Sequence, residues 1–214
     1  MLLFCVGNVE ALTRESVAII GSRDADQKML KIAEKLGKRV AQAGKVVVSG
    51  LALGVDMCAH KGCLLESGTT VGVLAGGVDI VVPLSNKSLA EDIVACGGAL
   101  ISEFPPGVKP RPGMFAKRNR IQAMMSSAVI VVQAGKKSGT IVTAQHAKEL
   151  KRPLGVVLPK EGLGIGKEGS QEILDGGASA LRNSDDLNAL LARSRKLWDD
   201  QFATDLSQQT SLDF

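Results

Sequence analysis

Tyrosine is absent from this 214-residue chain, and aromatic residues of any kind make up 3%. Stacking of bases on aromatic platforms therefore has little to work with. Histidine occurs twice, as His60 and His146, and the four cysteines (Cys5, Cys58, Cys63, Cys96) lack CxxC spacing. Neither a zinc site nor a disulfide scaffold is supported, and buried reduced thiols are expected. No apolar run approaches the ~20 residues that a membrane-spanning helix needs. The opening Met1-Leu2-Leu3-Phe4-Cys5-Val6 has neither a basic region nor a cleavage site, so a cytoplasmic protein with no membrane partner is expected. Also missing are a Ser-His-Asp order, a paired-acid spacing and the Lys-Ser/Thr that completes a Walker A loop. A non-enzymatic chain without cofactor or metal is the expectation.

What is present is a globular composition rich in glycine: 45% hydrophobic, 22% charged, 24 Gly and a net charge of +4. Such a charge suits an anionic ligand without demanding one. Short β-branched runs alternate with segments of helical spacing. The expected strands are Val17–Ile20, Val46–Val48, Thr70–Leu74, Ala99–Ser102, Val129–Val132 and Leu154–Leu158. Their hydrophobicity is continuous, as it is for strands of a parallel sheet covered on both faces. Helices are expected over Ala25–Ala43, Gly54–Ser67, Ser88–Cys96, Arg118–Ser126 and Thr140–Leu150, with a last one from Ser184 to about Trp198. The βα alternation gives an α/β fold, a doubly wound, mostly parallel sheet with helices on both faces. Residues 1–183 form the expected domain, followed by a helix over 184–200 and a flexible polar tail over 201–214.

Ligands of such sheets bind outside the carboxyl ends of the strands. Four of those ends carry small residues: Gly21-Ser22-Arg23, Ser49-Gly50-Leu51-Ala52-Leu53-Gly54, Ala75-Gly76-Gly77 and Lys136-Lys137-Ser138-Gly139-Thr140. Free N–H groups at a following helix start attract an anion, and glycine lets a phosphate come close. Arg23 sits where a cation reinforces that attraction. Arg118, Asn119 and Arg120 lie at the expected start of a helix, where three consecutive residues cannot all face one way. One arginine is expected to face the cleft and the other the core or a carboxylate. Lys109, Arg111 and Lys117 extend the basic stretch, and Pro105, Pro106, Pro110 and Pro112 make its approach a stiff loop. Asp56, Asp79 and Glu103 are carboxylates near strand ends, and for Asp56 and His60 capping or packing is the expected role.

Taken together, Val17–Arg23, Val48–Asp56 with His60, Phe115-x-x-Arg118-Asn119-Arg120 and Ser138-Gly139-Thr140 with Thr143-Ala144 closely resemble the DNA-processing protein A (DprA/Smf) family. Val81–Asn86 and Ile101-Ser102-Glu103 are similar too, so the resemblance runs from about Leu2 to Leu181. It implies an extended Rossmann-like domain that binds single-stranded DNA, forms a homodimer and loads a RecA-type recombinase during natural transformation or recombination. The implied DNA- or phosphate-binding set is Gly21, Ser22, Arg23, Ser49, Gly50, Leu51, Arg118, Asn119, Arg120, Lys137, Ser138, Gly139 and Thr140. Within it Arg23 and Lys137 grip phosphates. The family's flanking helical and winged-helix domains are expected to have no counterpart in these 214 residues, and Asp24 and Asp26 stand where the family usually has an aromatic-glycine pair.

The alternative is a nucleotide-binding or nucleoside-monophosphate phosphoribohydrolase-like enzyme of the same superfamily. That group's Pro-Gly-Gly-x-Gly-Thr-x-x-Glu signature ends in a catalytic glutamate, and the matching position here is Thr143. Gln209, Leu212 and Phe214 also resemble a short motif for docking on a replication sliding clamp.

Overall fold

A computed structural model describes residues 1–163 and 167–209, with residues 202–209 described by backbone alone. Its centre is one eight-stranded sheet in the order β1-β5-β4-β3-β2-β6-β7-β8. The strands are β1 (Phe4–Gly7), β2 (Ser16–Ile20), β3 (Val46–Ser49), β4 (Thr70–Val73), β5 (Ala99–Ser102), β6 (Ala128–Val131), β7 (Leu154–Val157) and β8 (Ser179–Leu181). All neighbours pair in parallel except β1, which lies antiparallel to β5 with Phe4 opposite Ser102. The helices are α1 (Gln27–Gln42), α2 (Val55–Leu65), α3 (Lys87–Ala95), α4 (Pro112–Met125), α5 (Gly139–Glu149), α6 (Glu168–Asp175) and α7 (Ser184–Gln209).

From β2 the chain winds outward through β3, β4 and β5, then crosses back to β6 and winds the other way. The strand order therefore reverses between β2 and β6, and a ligand crevice is expected above their carboxyl ends. Both strands are fully buried, so the loops leaving them are anchored at their bases. One face of the sheet packs α1, α2 and α7 through Met29, Ala33, Val40, Ala59 and Leu190; the other packs α4, α5 and α6 through Ile121, Ala144 and Ile173. Asp26 caps α1 by accepting from the Met29 N–H at 2.9 Å. Helices α1 and α2 touch backbone to backbone, because a Cβ at Gly37 would overlap the Ala59 carbonyl.

Several boundaries differ from expectation. Strands β1 and β8 and helix α6 went unforeseen: β1 is only half-buried at its start and exposed at its end, β8 has three residues, and α6 is one short turn pair. Helix α4 starts at Pro112 rather than Arg118, since proline at the first helical position has no N–H to lose. Arg118, Asn119 and Arg120 are thus mid-helix. The last helix runs to Gln209, past the expected end near Trp198 and into the stretch expected as tail. Leu212 and Phe214, which carry the clamp-docking expectation with Gln209, lie outside the described residues. Among the described residues no helix is long and apolar enough to cross a membrane, and no cluster of three potential metal-ligating side chains occurs.

Candidate functional site

A cleft of about 440 Å³ opens at the switch point, above β2 and β6. Its lining brings together Gly21, Ser22 and Arg23 from the first strand end, Arg118 and Asn119 from α4, and Ser138, Gly139 and Thr140 from the start of α5. Of the expected set, Ser49, Gly50, Leu51, Arg120 and Lys137 are not part of that lining.

The upper wall carries several groups that lack partners among the described residues. The loop after β2 is held down by Ser22 N–H donating to the Gln133 carbonyl at 2.8 Å and by Val55 N–H donating to the Ser22 carbonyl at 3.2 Å. Gly54, at φ 75°, lies so close that a Cβ there would overlap the Ser22 and Arg23 carbonyls. Only glycine adopts that backbone beside such a neighbour without strain. Arg23 itself is exposed, and its guanidinium stands 5.3 Å from the centre of the Phe115 ring. Across the cleft, Ser138 Oγ is shielded from solvent and has no hydrogen-bond partner among the described residues. Ser138 is the N-cap of α5, yet its hydroxyl does not cap. The N–H groups of Gly139 and Thr140 likewise donate to no described acceptor. Open donors at a helix start facing an arginine form an anion-binding arrangement. Lys137, exposed with φ 57°, flanks this wall from outside.

The floor is built from groups that satisfy one another. Ser49 is fully buried and its Oγ donates to the Ile19 carbonyl at 2.6 Å. Leu51 is fully buried in an apolar cluster with Leu74 and Ile93. Gly50 leaves clearance, but for Arg118: a Cβ there would overlap the guanidinium. Arg118, 5% exposed, donates to the Gly50 carbonyl at 2.7 Å and to the Val73 carbonyl, and its Nε donates to Asn119 Oδ1 at 3.1 Å. Ser49, Gly50 and Leu51 therefore sit behind the cleft surface as scaffold. Asp56 accepts the N–H groups of Gly50 at 3.1 Å and Ala52 at 3.4 Å. Burial pushes its carboxyl up, while Arg118 and these donors pull it back. Burial also lowers the Arg118 guanidinium to about 10, against the pull of Asp56.

His60 belongs to the same floor. Thr70 Oγ1 donates to the Val47 carbonyl at 2.8 Å and so accepts from His60 Nδ1–H at 2.7 Å. Nε2 is then bare and unpartnered among the described residues, and burial, followed by the charge of Arg118, lowers this imidazole to about 3. His60 is a neutral packing group, as expected for it.

Arg120 leaves the cleft altogether and pairs with Glu103, which Lys117 also approaches at 3.4 Å. Asp79 is occupied too, accepting the Gly107 N–H at 2.9 Å and 3.0 Å through its two oxygens. The third glycine-bearing strand end is not part of the cleft, because the proline-rich segment covers it. Gly77 N–H donates to the Val108 carbonyl at 2.8 Å, and a Cβ at Gly76 would overlap Val108 and Pro110. Phe115, Asp24, Ala52, Gln122 and Thr143 line the cleft although the expected set omitted them. For Phe115 the signal was there, in its spacing three residues ahead of Arg118. Thr143, at the position where the hydrolase group carries glutamate, is buried with Oγ1 donating to the Gly139 carbonyl at 3.3 Å.

A doubly wound sheet with a cleft at its switch point defines a Rossmann-like protein. The chain belongs to the DNA recombination-mediator protein A family, whose profile matches residues 1–192. DNA processing protein DprA of Bacillus subtilis is 35% identical over 187 residues, covering 87% of this chain and 62% of that protein. Protein Smf of Synechocystis is 41% identical over 136 residues, 64% of this chain and 34% of that protein. The chain thus spans between about a third and two thirds of the length of these curated relatives. DNA processing protein A of Helicobacter pylori, solved for its single-stranded DNA binding mode, superposes with a TM-score of 0.78 at 30% identity over 92% of this chain and 87% of that one. DNA processing protein A of Streptococcus pneumoniae gives 0.79 at 32%, over 87% and 65%. The molybdenum cofactor carrier protein of Chlamydomonas reinhardtii shares the fold, with a TM-score of 0.58 at 23% identity over 86% of this chain and 99% of that one.

Proposed function

We propose that the cleft binds the phosphate backbone of single-stranded DNA without turning it over, and that the protein acts in DNA recombination or transformation. The observation that carries this reading is the unpartnered Ser138 hydroxyl at the start of α5, opposite the exposed Arg23. An anionic oxygen between them satisfies the hydroxyl, the free N–H groups and the guanidinium at once. The relative from H. pylori, whose structure concerns single-stranded DNA binding, supports a nucleic-acid ligand over a small anion.

In this reading Arg23 and Lys137 contact phosphates, Gly21 and Ser22 shape the loop, and Gly139 and Thr140 donate from the backbone. Arg118 holds the floor in place of contacting DNA, and Arg120 braces α4 against Glu103. Phe115 is the one ring in the cleft lining, so it offers a single face for a base beside Arg23. The cleft carboxylates are Asp24 and Asp56, and Asp56 is occupied by the N–H groups of Gly50 and Ala52, which supports binding over catalysis. A homodimer that hands its strand to a RecA-type recombinase completes the proposal.

Titrating an oligothymidylate at several salt concentrations tests it. Affinity is expected to fall linearly in log-log form with a slope of about −0.7 per phosphate contacted. A flat salt response, or efficient release of adenine from AMP, overturns it.

A further inference from the structure

A second cavity of about 460 Å³ lies away from the cleft, between α1 and the start of α7. Its floor is aliphatic, made by Leu36, Val157, Leu158, Pro159 and Leu187. Its rim carries Lys35, Lys38, Arg39 and Arg182, and no carboxylate lines it among the described residues. Lys38 pairs with Glu34 at 3.2 Å, whereas Lys35, Arg39 and Arg182 have no ion-pair partner among the described residues. An apolar trough under unpaired cations calls for an acidic segment bearing apolar side chains. It offers no ring for stacking bases, which argues against nucleic acid as the occupant.

The sequence contains such a segment. From Gln201 to Phe214 there are two aspartates, Asp205 and Asp213, no lysine or arginine, and the apolar Phe202, Leu206, Leu212 and Phe214. Its own groove is out of reach. Helix α7 covers 26 residues, and the ~1.5 Å rise per residue puts Gln209 about 33 Å from Leu187. Residues 210–214 extend at most ~18 Å. A second copy removes the difficulty, because a helix with the groove at its start and the acidic segment at its end can lie antiparallel to its mate, each end beside the other's start. Two-fold pairing then fills both grooves by the same contacts. We infer that the Gln201–Phe214 segment of one copy docks in the α1–α7 groove of another, with Asp205 and Asp213 against the Lys35, Arg39 and Arg182 rim.

A photo-crosslinker placed at Phe214 of the full chain tests this in a mixture of isotopically heavy and light protein. Crosslinks are expected between copies, on peptides spanning Ile32–Gln42 or Leu181–Leu187. Charge reversal by Lys35→Glu with Arg39→Glu should cut the yield about fivefold or more, and adding Asp205→Lys with Asp213→Lys should restore it. Because both rim residues project at the surface, the rescue separates a lost contact from a damaged fold. Crosslinks confined to one copy, crosslinks on other peptides, or yields indifferent to charge reversal overturn the inference. So does crosslinking only to an added sliding clamp, or protection of Lys35 and Lys38 from acetylation by an oligothymidylate but not by self-association.

Discussion

The two walls of the cleft use the same residue type in opposite ways. Arg23, on the lip, is exposed and stands over the Phe115 ring, beside a serine hydroxyl and backbone donors that have no partner among the described residues. Arg118, on the floor, is enclosed and bound to two carbonyls and Asn119. An arginine left unsatisfied by the fold is available to a ligand, whereas one whose hydrogen bonds are already made holds the fold. The floor also explains how the lip stays open. Asn119 takes the Arg118 Nε–H and passes Nδ2–H to the Gly139 carbonyl at 3.1 Å, so the buried arginine fixes the start of α5 from below.

The sharpest way to break this contrast is to remove the floor arginine. Arg118→Met strips donors from the Gly50 and Val73 carbonyls and leaves Asp56 without its cation, so a loss of about 3 kcal/mol or more in urea unfolding is expected. An equally stable variant that binds DNA poorly would move Arg118 from floor to lip. Next in size is the pH response of the floor. His60 takes a proton near 6.5 when unfolded but only near 3 when folded, so its contribution is intact above pH 6.5 and is lost as pH falls through that window. The slope is at most about 1.4 kcal/mol per pH unit. Asp56, raised by burial, acts in the opposite sense, and comparing the native chain with His60→Gln isolates the histidine part. Unfolding curves at pH 7 and pH 5 should converge for the two proteins at the lower value.

On the lip the expected changes are in binding rather than stability. Arg23→Ala should weaken oligonucleotide binding about tenfold to thirtyfold at low salt and flatten the salt slope, with less than about 0.5 kcal/mol change in unfolding. Phe115→Ala is expected to cost about fivefold, and less dependence on salt should distinguish this stacking face from a charge contact. The smallest effect falls on Glu103→Gln. It releases Arg120 and Lys117 from the carboxylate that holds them, and a slight gain in affinity, no more than about twofold, is expected.

Much of the fold was legible because fully buried parallel strands read as unbroken β-branched runs, and each of the six expected strands is there. What escaped lies at the sheet edges. Strand β1 pairs antiparallel with a partner far along the chain, and β8 is too short to show a period. At the site, sequence located the loops but not the depth of each residue within them. Ser49 and Gly50 belong to a Gly-rich strand end just as Ser22 and Gly21 do, and only packing reveals that Arg118 fills the space above them. Likewise Pro105 to Pro112 read as an approach to the arginines, while its first part folds over Gly76 and Gly77 and Pro112 begins α4. Of the two arginines of α4, expected to divide between the cleft and the core or a carboxylate, Arg120 goes to a carboxylate, while Arg118 borders the cleft but is spent on the Gly50 and Val73 carbonyls.

That proline-rich strap has a bearing on polymer length. Braced by Asp79 on Gly107 and by Gly77 on Val108, it closes the β4 end of the sheet's upper rim. On the proposed reading, a strand in the cleft meets this strap on the β4 side. The length of strand that one copy could hold on the proposed reading is then limited on that side by the chain's own loop.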